Sequence, residues 1–191
     1  VLCVQNLDVQ YYAAAGIVYA NTDINFELRP GERLGLVGES GSGKSTMALA
    51  ILRMIKPPGK ISGGHIILDD TDLVTLSEEE MRNVRANEIS MVPQGAMNSL
   101  NPVLKIREQL IDTMVDHNLG LTQAQMEKMA ADALKAVELD PRVGKMYPHE
   151  LSGGMKQRAC IAIAIVMAPK VIIADEPTSA LELVTQRKVM Q

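Results

Sequence analysis

Apolar and polar residues alternate over residues 1–9 and again over 24–28, the period-two pattern of antiparallel strands with one wet face. Arg29-Pro30-Gly31-Glu32 marks a turn, and residues 33–37 then predict a buried strand that enters a glycine-rich loop. Residues 44–55 predict a helix, stopped by Lys56-Pro57-Pro58-Gly59. Residues 64–68 predict another short strand. Ser77-Glu78-Glu79-Glu80 fits a capping box for a short helix: the Ser hydroxyl accepts the N–H three residues on, and the Glu carboxylate returns the bond. Ile89–Val92 predicts a strand running to Pro93-Gln94.

From Val103 to about residue 148 the period becomes helical. Ile106, Leu110 and Met114 recur every four residues, and Thr122 with Gln125 caps a second helix carrying Met129, Ala133 and Val137. Such Met and Leu stripes are helix core. Strand and loop chemistry resume at 151–158 and at Val171–Ala174, four apolar residues that predict a buried strand. The pattern as a whole predicts an α/β core with an antiparallel β subdomain and an inserted helical block. Residues 1–102 and 159–191 would form the core lobe, and 103–158 the helical one.

Composition narrows the function classes. Hydrophobic residues make up 47% of 191, yet no apolar run approaches the roughly 20 residues of a membrane span, and 159–168 reads as a buried helix. The start, Val1-Leu2-Cys3-Val4, lacks the charged region and apolar stretch of a secretory signal. Cys3 and Cys160 are too few and too separated for a disulfide framework, which favours a reducing compartment. A net charge of −4 gives no global attraction to nucleic acid or anionic lipid. Trp is absent, and Tyr and Phe together number few, so base-stacking platforms are not expected.

Three motifs carry phosphate chemistry. Gly38-Glu39-Ser40-Gly41-Ser42-Gly43-Lys44-Ser45 matches the Walker A pattern at every defined position, between a predicted strand and a predicted helix. Its glycines let the backbone wrap phosphates without Cβ clashes, and the helix N-terminus adds partial positive charge. Lys44 would reach the β- and γ-phosphates and the Ser45 hydroxyl a Mg²⁺ ion. Val171–Ala174 leads to Asp175-Glu176, where Asp175 would hold Mg²⁺ through water and Glu176 would orient the attacking water. Leu151-Ser152-Gly153-Gly154-Met155 opens another helix and offers a second set of backbone donors, suited to phosphates held by another subunit. Gln94 follows a strand and carries a neutral amide able to contact both metal and water.

Walker A at 38–45, Gln94, the Ser-Gly-Gly turn, Walker B at 171–176 and Ser179-Ala180-Leu181 occur in the order found in ATP-binding cassette (ABC) ATPases. The chain resembles that family over essentially its whole length. The resemblance implies a P-loop NTPase fold, ATP and Mg²⁺ as ligands, and a phosphate site lined by Gly38, Ser40, Gly41, Ser42, Gly43, Lys44, Ser45 and Thr46. It makes Glu176, Lys44 and Gln94 the catalytic group and Ser45, Gln94 and Asp175 the metal set. Ser152, Gly153 and Gly154 would touch the γ-phosphate of ATP on the opposite subunit. Tyr12 is the preferred adenine-stacking ring, with Tyr11 and Tyr19 as alternatives.

Gln94-Gly95-Ala96-Met97-Asn98-Ser99-Leu100-Asn101-Pro102 and Tyr147-Pro148-His149-Glu150 look like those of dipeptide, oligopeptide and nickel importers. Met155, where many relatives place Gln, resembles the first of two unlike ATPase subunits. The implied partners are a second ABC ATPase subunit, two transmembrane permeases and, indirectly, an extracytoplasmic substrate-binding protein, at the cytoplasmic face of the membrane. Nucleic acid is not expected. The sequence departs from the family in having Glu182 where the D-loop ends in Asp. Its histidines, His65, His117 and His149, all precede Walker B, so the family's switch histidine is not in the chain. It therefore reads as a fragment that binds nucleotide and hydrolyses it poorly by itself. The expected activity is that of the ATP-hydrolysing subunit of a peptide importer. The rivals are an importer for nickel or oligosaccharide, or a soluble cassette acting on nucleic acid or ribosomes, whose tandem or coiled-coil-bearing chains do not fit this length.

Overall fold

The computed structural model describes residues 1–95, 98–117 and 119–176. Two compact units divide the chain, Val1–Arg85 and Ala86–Gln191. In the first, β1 (Leu2–Ala13) and β2 (Gly16–Leu28) form a long antiparallel hairpin. β3 (Gly59–Leu68) pairs with the other side of β1, and β4 (Thr71–Asp72) with β3, giving the order β2-β1-β3-β4. The hairpin is longer than alternation indicates, because residues 10–13 and 16–19 near its tip leave large side chains exposed on both faces. The apolar phase of β1 also changes midway. Leu2 and Val4 are buried on one count, Leu7 and Val9 on the next. The ladder shifts register between Val4 and Leu7, where Asn6 takes φ 48. Such a bulge returns the apolar side chains to the core face after a one-residue slip. Asn6 is held there by bonds to Asn25 Oδ1 (2.8 Å) and Asp23 Oδ1 (2.7 Å).

Helix α1 (Lys44–Ile51) buries Met47, Ala48, Ala50 and Ile51 and packs on β1 and β2. It ends four residues before the expected stop. Met54 N–H donates to Leu49 C=O (2.8 Å) and Arg53 N–H to Ala50 C=O (2.9 Å), while Arg53 turns left-handed at φ 50. This is a Schellman end with arginine where glycine usually stands. The Arg53 guanidinium bonds the Leu73 and Leu76 carbonyls, which helps to hold the unusual backbone. Helix α2 (Glu78–Val84) opens on the expected capping box, Ser77 N–H to Glu80 Oε2 at 2.7 Å and Glu80 N–H to Ser77 Oγ at 3.3 Å, and buries Met81.

Residues 33–37 are not a buried strand. Among the described residues they carry no ladder, and Val37 is 94% exposed, with Leu34 and Leu36 also open. A strand requires a neighbour to take its N–H and C=O groups. Strand β2 stops at Leu28, and the turn that follows is closed by Glu32 N–H to Arg29 C=O at 3.1 Å. Apolarity alone therefore overstated this segment.

In the second unit β5 (Ile89–Val92) and β6 (Val171–Ala174) lie parallel, Ile89 opposite Val171 and Val92 opposite Ala174. Only Val171 of β6 is buried, and Ile172 is 49% exposed. The expectation of a fully buried strand fails because the two-stranded ladder leaves alternate side chains of β6 facing outward. Three helices build the core beside it: α3 (Ile106–Val115), α4 (Gln123–Ala136) and α5 (Gly153–Ile165). Ile106, Leu110 and Met114 are buried, as their spacing indicates, against Ala130, Ala133 and Leu134 of α4 and Ala159 of α5. Thr122 and Gln125 form the expected box, Thr122 N–H to Gln125 Oε1 at 2.8 Å and Gln125 N–H to Thr122 Oγ1 at 3.3 Å. Among the described residues no helix is long and apolar enough to cross a membrane.

Candidate functional site

The glycine-rich loop closes on itself through Lys44. Its ammonium donates to the Gly38 carbonyl at 2.7 Å and the Glu39 carbonyl at 2.6 Å, and lies 3.2 Å from Ser42 Oγ. Ser42 N–H donates back to the Glu39 carbonyl at 3.2 Å. Three convergent acceptors satisfy the three ammonium donors and fix the charge inside the turn. Gly43 is the N-cap of α1, at φ 91 and ψ 5, with no side-chain cap and no acidic residue in the first turn. The Lys44, Ser45 and Thr46 N–H groups therefore belong to a helix start that offers donors and partial positive charge to an anion. Ser40, Gly41, Ser42 and Ser45 are exposed, and Gly43, Lys44 and Thr46 half-buried.

Gly43 is a position where only glycine fits. A Cβ there would collide with the Ala20 carbonyl oxygen and stand 2.8 Å from Asn21 Nδ2. β2 supplies both groups, so the loop is seated against the hairpin. Asn21 is the residue that motif reading missed. Its one sequence signal is an amide in the register position opposite the apolar, buried Val9.

In the second unit the parallel pair of strands delivers the acidic chemistry. Asp175 N–H donates to the Val92 carbonyl at 2.9 Å, continuing the ladder one residue past β6. This carries Glu176 to the level of Gln94, and Gln94 Nε2 donates to Glu176 Oε2 at 3.0 Å across 82 positions of sequence. Glu176 adopts φ 49, a left-handed backbone that costs a non-glycine residue about 1–3 kcal/mol and is often found where function holds it. Asp175 is half-buried and Glu176 exposed. Among the described residues no group of three or more His, Cys, Asp or Glu is arranged to hold a metal.

The Ser-Gly-Gly turn is a helix start of its own. Ser152 is the N-cap of α5, its Oγ accepting the Met155 N–H at 3.4 Å and its carbonyl the Lys156 N–H at 2.9 Å. Ser152 and Gly153 are exposed, so the first turn is open to solvent. The rest of α5 is rooted in the core through Gln157, Ala159, Cys160 and Ala162. Burial pushes the Cys160 thiol up to about 11, which leaves it protonated and inert at neutral pH.

Tyr12 projects from the hairpin tip, 41% exposed, with its hydroxyl donating to Gln10 Oε1 at 2.8 Å and the Lys60 ammonium 4.6 Å from the ring centre. Tyr19 is more exposed, whereas Tyr11 is partly covered and touches Gly59. Ala96 and Met97, Ser179-Ala180-Leu181 and Glu182 lie outside the described residues.

Comparison with known proteins agrees over nearly the whole chain. A family model described as ABC transporter matches residues 21–179. The chain is 44% identical to the oligopeptide transport ATP-binding protein OppD of Escherichia coli over 99% of its own length and 56% of that protein's. It is 39% identical to the dipeptide transport ATP-binding protein DppD of Caldanaerobacter subterraneus, over 100% of the chain and 59% of the relative. It thus spans little more than half the length of these relatives. Among solved structures it is similar to the dimeric bacterial ABC transporter cassette MJ0796, with a TM-score of 0.88, 32% identity and coverage of 100% of this chain and 80% of that one. The same cassette in a post-hydrolysis state bound to ADP and Pi gives a TM-score of 0.87.

Proposed function

The chain belongs to the ABC transporter family and has the α/β fold of its ATPase cassette, and from that premise we propose that it is the ATP-binding and hydrolysing subunit of a peptide importer. The observation that supports this most is the Gln94–Glu176 hydrogen bond. It pairs a neutral metal-sensing amide with a carboxylate at the C-terminal ends of parallel strands, where α/β sheets present their chemistry.

The donor set fits a nucleoside triphosphate with Mg²⁺. Backbone N–H groups at the start of α1 and the Lys44 ammonium suit phosphate oxygens. A Mg²⁺ ion takes one or two protein oxygens and draws its remaining ligands from phosphate and water. The Ser45 hydroxyl, Gln94 and Asp175 are groups of that kind, and no three-carboxylate cage is required. Bound there, the ion would neutralise charge on the phosphates.

In this reading Lys44 and the loop N–H groups hold the β- and γ-phosphates, and the loop of Gly38, Ser40, Gly41, Ser42 and Gly43 shapes itself around them. Glu176 orients water for in-line attack at the γ-phosphorus and accepts its proton as the bond to the leaving ADP oxygen breaks. Gln94 holds the Glu176 carboxylate in place. Ser152, Gly153 and Gly154 meet the γ-phosphate bound by a second ATPase subunit, a role supported by the dimeric form of the similar cassette. Tyr12 stacks on adenine.

Peptide is the favoured cargo because the relatives are named for oligopeptide and dipeptide transport. Two permeases would carry it across the membrane, supplied through a binding protein, with this subunit on the cytoplasmic face.

Glu176→Gln tests the chemistry in the full subunit assembled with its partners. The amide keeps an acceptor for Gln94 and removes the base. Hydrolysis should fall by about a hundredfold or more, the range that one positioned acid–base group contributes, while ATP binding persists. Unchanged turnover would remove Glu176 from this role.

A further inference from the structure

We propose that Asn21 is a positioning residue of the phosphate loop, retained at a cost to fold stability. The proposal rests on the nucleotide reading above. Asn21 sits on β2, 8% exposed. Its Nδ2 donates to the Gly43 carbonyl at 3.3 Å. The same carbonyl accepts the Met47 N–H at 2.9 Å, the bond that begins α1. The N-cap carbonyl is therefore gripped from two sides, by the helix and by the hairpin.

That grip reaches the ligand face through covalent geometry. The Gly43 C=O and the Lys44 N–H belong to one planar peptide group and point in opposite directions. Fixing the carbonyl on Asn21 fixes the direction of the first N–H of α1. The Ala20 carbonyl closes the space where a Cβ at Gly43 would stand, so the peptide has little room to turn.

The other half of the amide makes the role visible. Asn21 Oδ1 is buried and has no hydrogen-bond partner among the described residues. A buried acceptor left unpaired is destabilising, and an apolar side chain of the same shape would avoid that loss. The cross-strand partner at this register position is apolar, Val9. A polar residue that lowers the stability of its own fold marks a position held by function rather than by packing.

The test is Asn21→Leu, which keeps the branching and removes the polar atoms, beside Asn21→Asp, the same shape without a donor. Each is measured in the full chain by thermal melting and by titration with fluorescent ATP and ADP analogues, with Lys44→Ala as the reference for loss of phosphate binding. Asn21→Leu should melt at or above the wild-type temperature and bind ATP about fivefold more weakly, the worth of one net hydrogen bond. In the assembled enzyme KM should rise while kcat holds. Asn21→Asp should also lose affinity. If Asn21→Leu does not fold, Asn21→Ala removes the amide without adding bulk and gives the same comparison.

Wild-type affinity in the Leu or Ala variant overturns the positioning role. A lower melting temperature with unchanged affinity makes Asn21 a packing residue, and also overturns it. Failure of the wild type itself to bind ATP, with Lys44→Ala no different, would instead overturn the nucleotide reading on which the proposal stands.

Discussion

Replacing Gly43 by alanine should damage the phosphate loop twice over, and the two contributions can be separated. The backbone holds φ 91, a left-handed conformation that costs an L-residue about 1–2 kcal/mol. The new methyl would also meet the Ala20 carbonyl oxygen and Asn21 Nδ2, the latter at 2.8 Å. Relieving such an overlap by shifting backbone costs about 1–3 kcal/mol. Together the substitution should cost about 2–5 kcal/mol. Gly41→Ala is the control, because Gly41 shares the left-handed backbone at φ 81 but has nothing among the described residues within 4 Å of its would-be Cβ. Only the first contribution applies there.

Two assays read the result. At roughly 2–4 °C per kcal/mol for a chain of this size, Gly43→Ala should lower the melting temperature by at least about 4 °C if the strain spreads through the fold. If the loop yields locally instead, affinity for a fluorescent ATP analogue should fall about thirtyfold or more, since each 1.4 kcal/mol is tenfold. Gly41→Ala should show the smaller effect in whichever assay responds. Equal melting and equal binding for the two variants would refute the assignment of the Gly43 contact to β2.

Two further outcomes follow from the second unit. The Cys160 thiol, pushed up to about 11 from an ordinary 9.0 by burial, should resist a thiol reagent at pH 8 that labels the half-buried Cys3, until the chain is unfolded. Because the folded state holds this proton more tightly, its contribution to stability is complete below the unfolded value of 9.0 and drains away as pH rises toward about 11. Labelling of both cysteines at equal rates in the native protein would contradict the burial. Thr122→Ala removes the hydroxyl that caps α4 and should cost about 1 kcal/mol, a fall of roughly 2–4 °C in melting temperature. An unchanged melt would show that Gln125 alone sustains the helix start.

The parts of the structure that were legible in sequence are those fixed within three or four residues. The Ser77 and Thr122 boxes form because donor and acceptor are local, and the stripe of Ile106, Leu110 and Met114 lies on one helix face by geometry alone. The Walker A loop was legible because its glycines and Lys44 act together within one turn. What escaped depends on distant partners. Arg53 ends α1 in a glycine-like conformation that its own contacts to the Leu73 and Leu76 carbonyls help to sustain. The β1 bulge draws on Asp23 and Asn25, about twenty residues away. Residues 33–37 carry strand-like apolarity but no ladder among the described residues. The Gln94–Glu176 contact joins two motif positions that the family pattern names separately, and only the parallel register of β5 and β6 brings them together. Asn21 belongs to no motif.

The three bonds that gather Lys44 into its loop also bear on what happens when a ligand arrives. A lysine side chain ordinarily loses up to about 2 kcal/mol of rotamer freedom on being fixed. Here that ordering belongs to folding, so under the proposed nucleotide role an incoming phosphate would meet a charge already in place. Contact with it is then an exchange of partners, oxygen of phosphate for oxygen of peptide, rather than the capture of a mobile cation. Such a loop discriminates by which acceptor is the stronger, so a neutral ligand of the same shape has little to offer the ammonium in place of the Gly38 and Glu39 carbonyls.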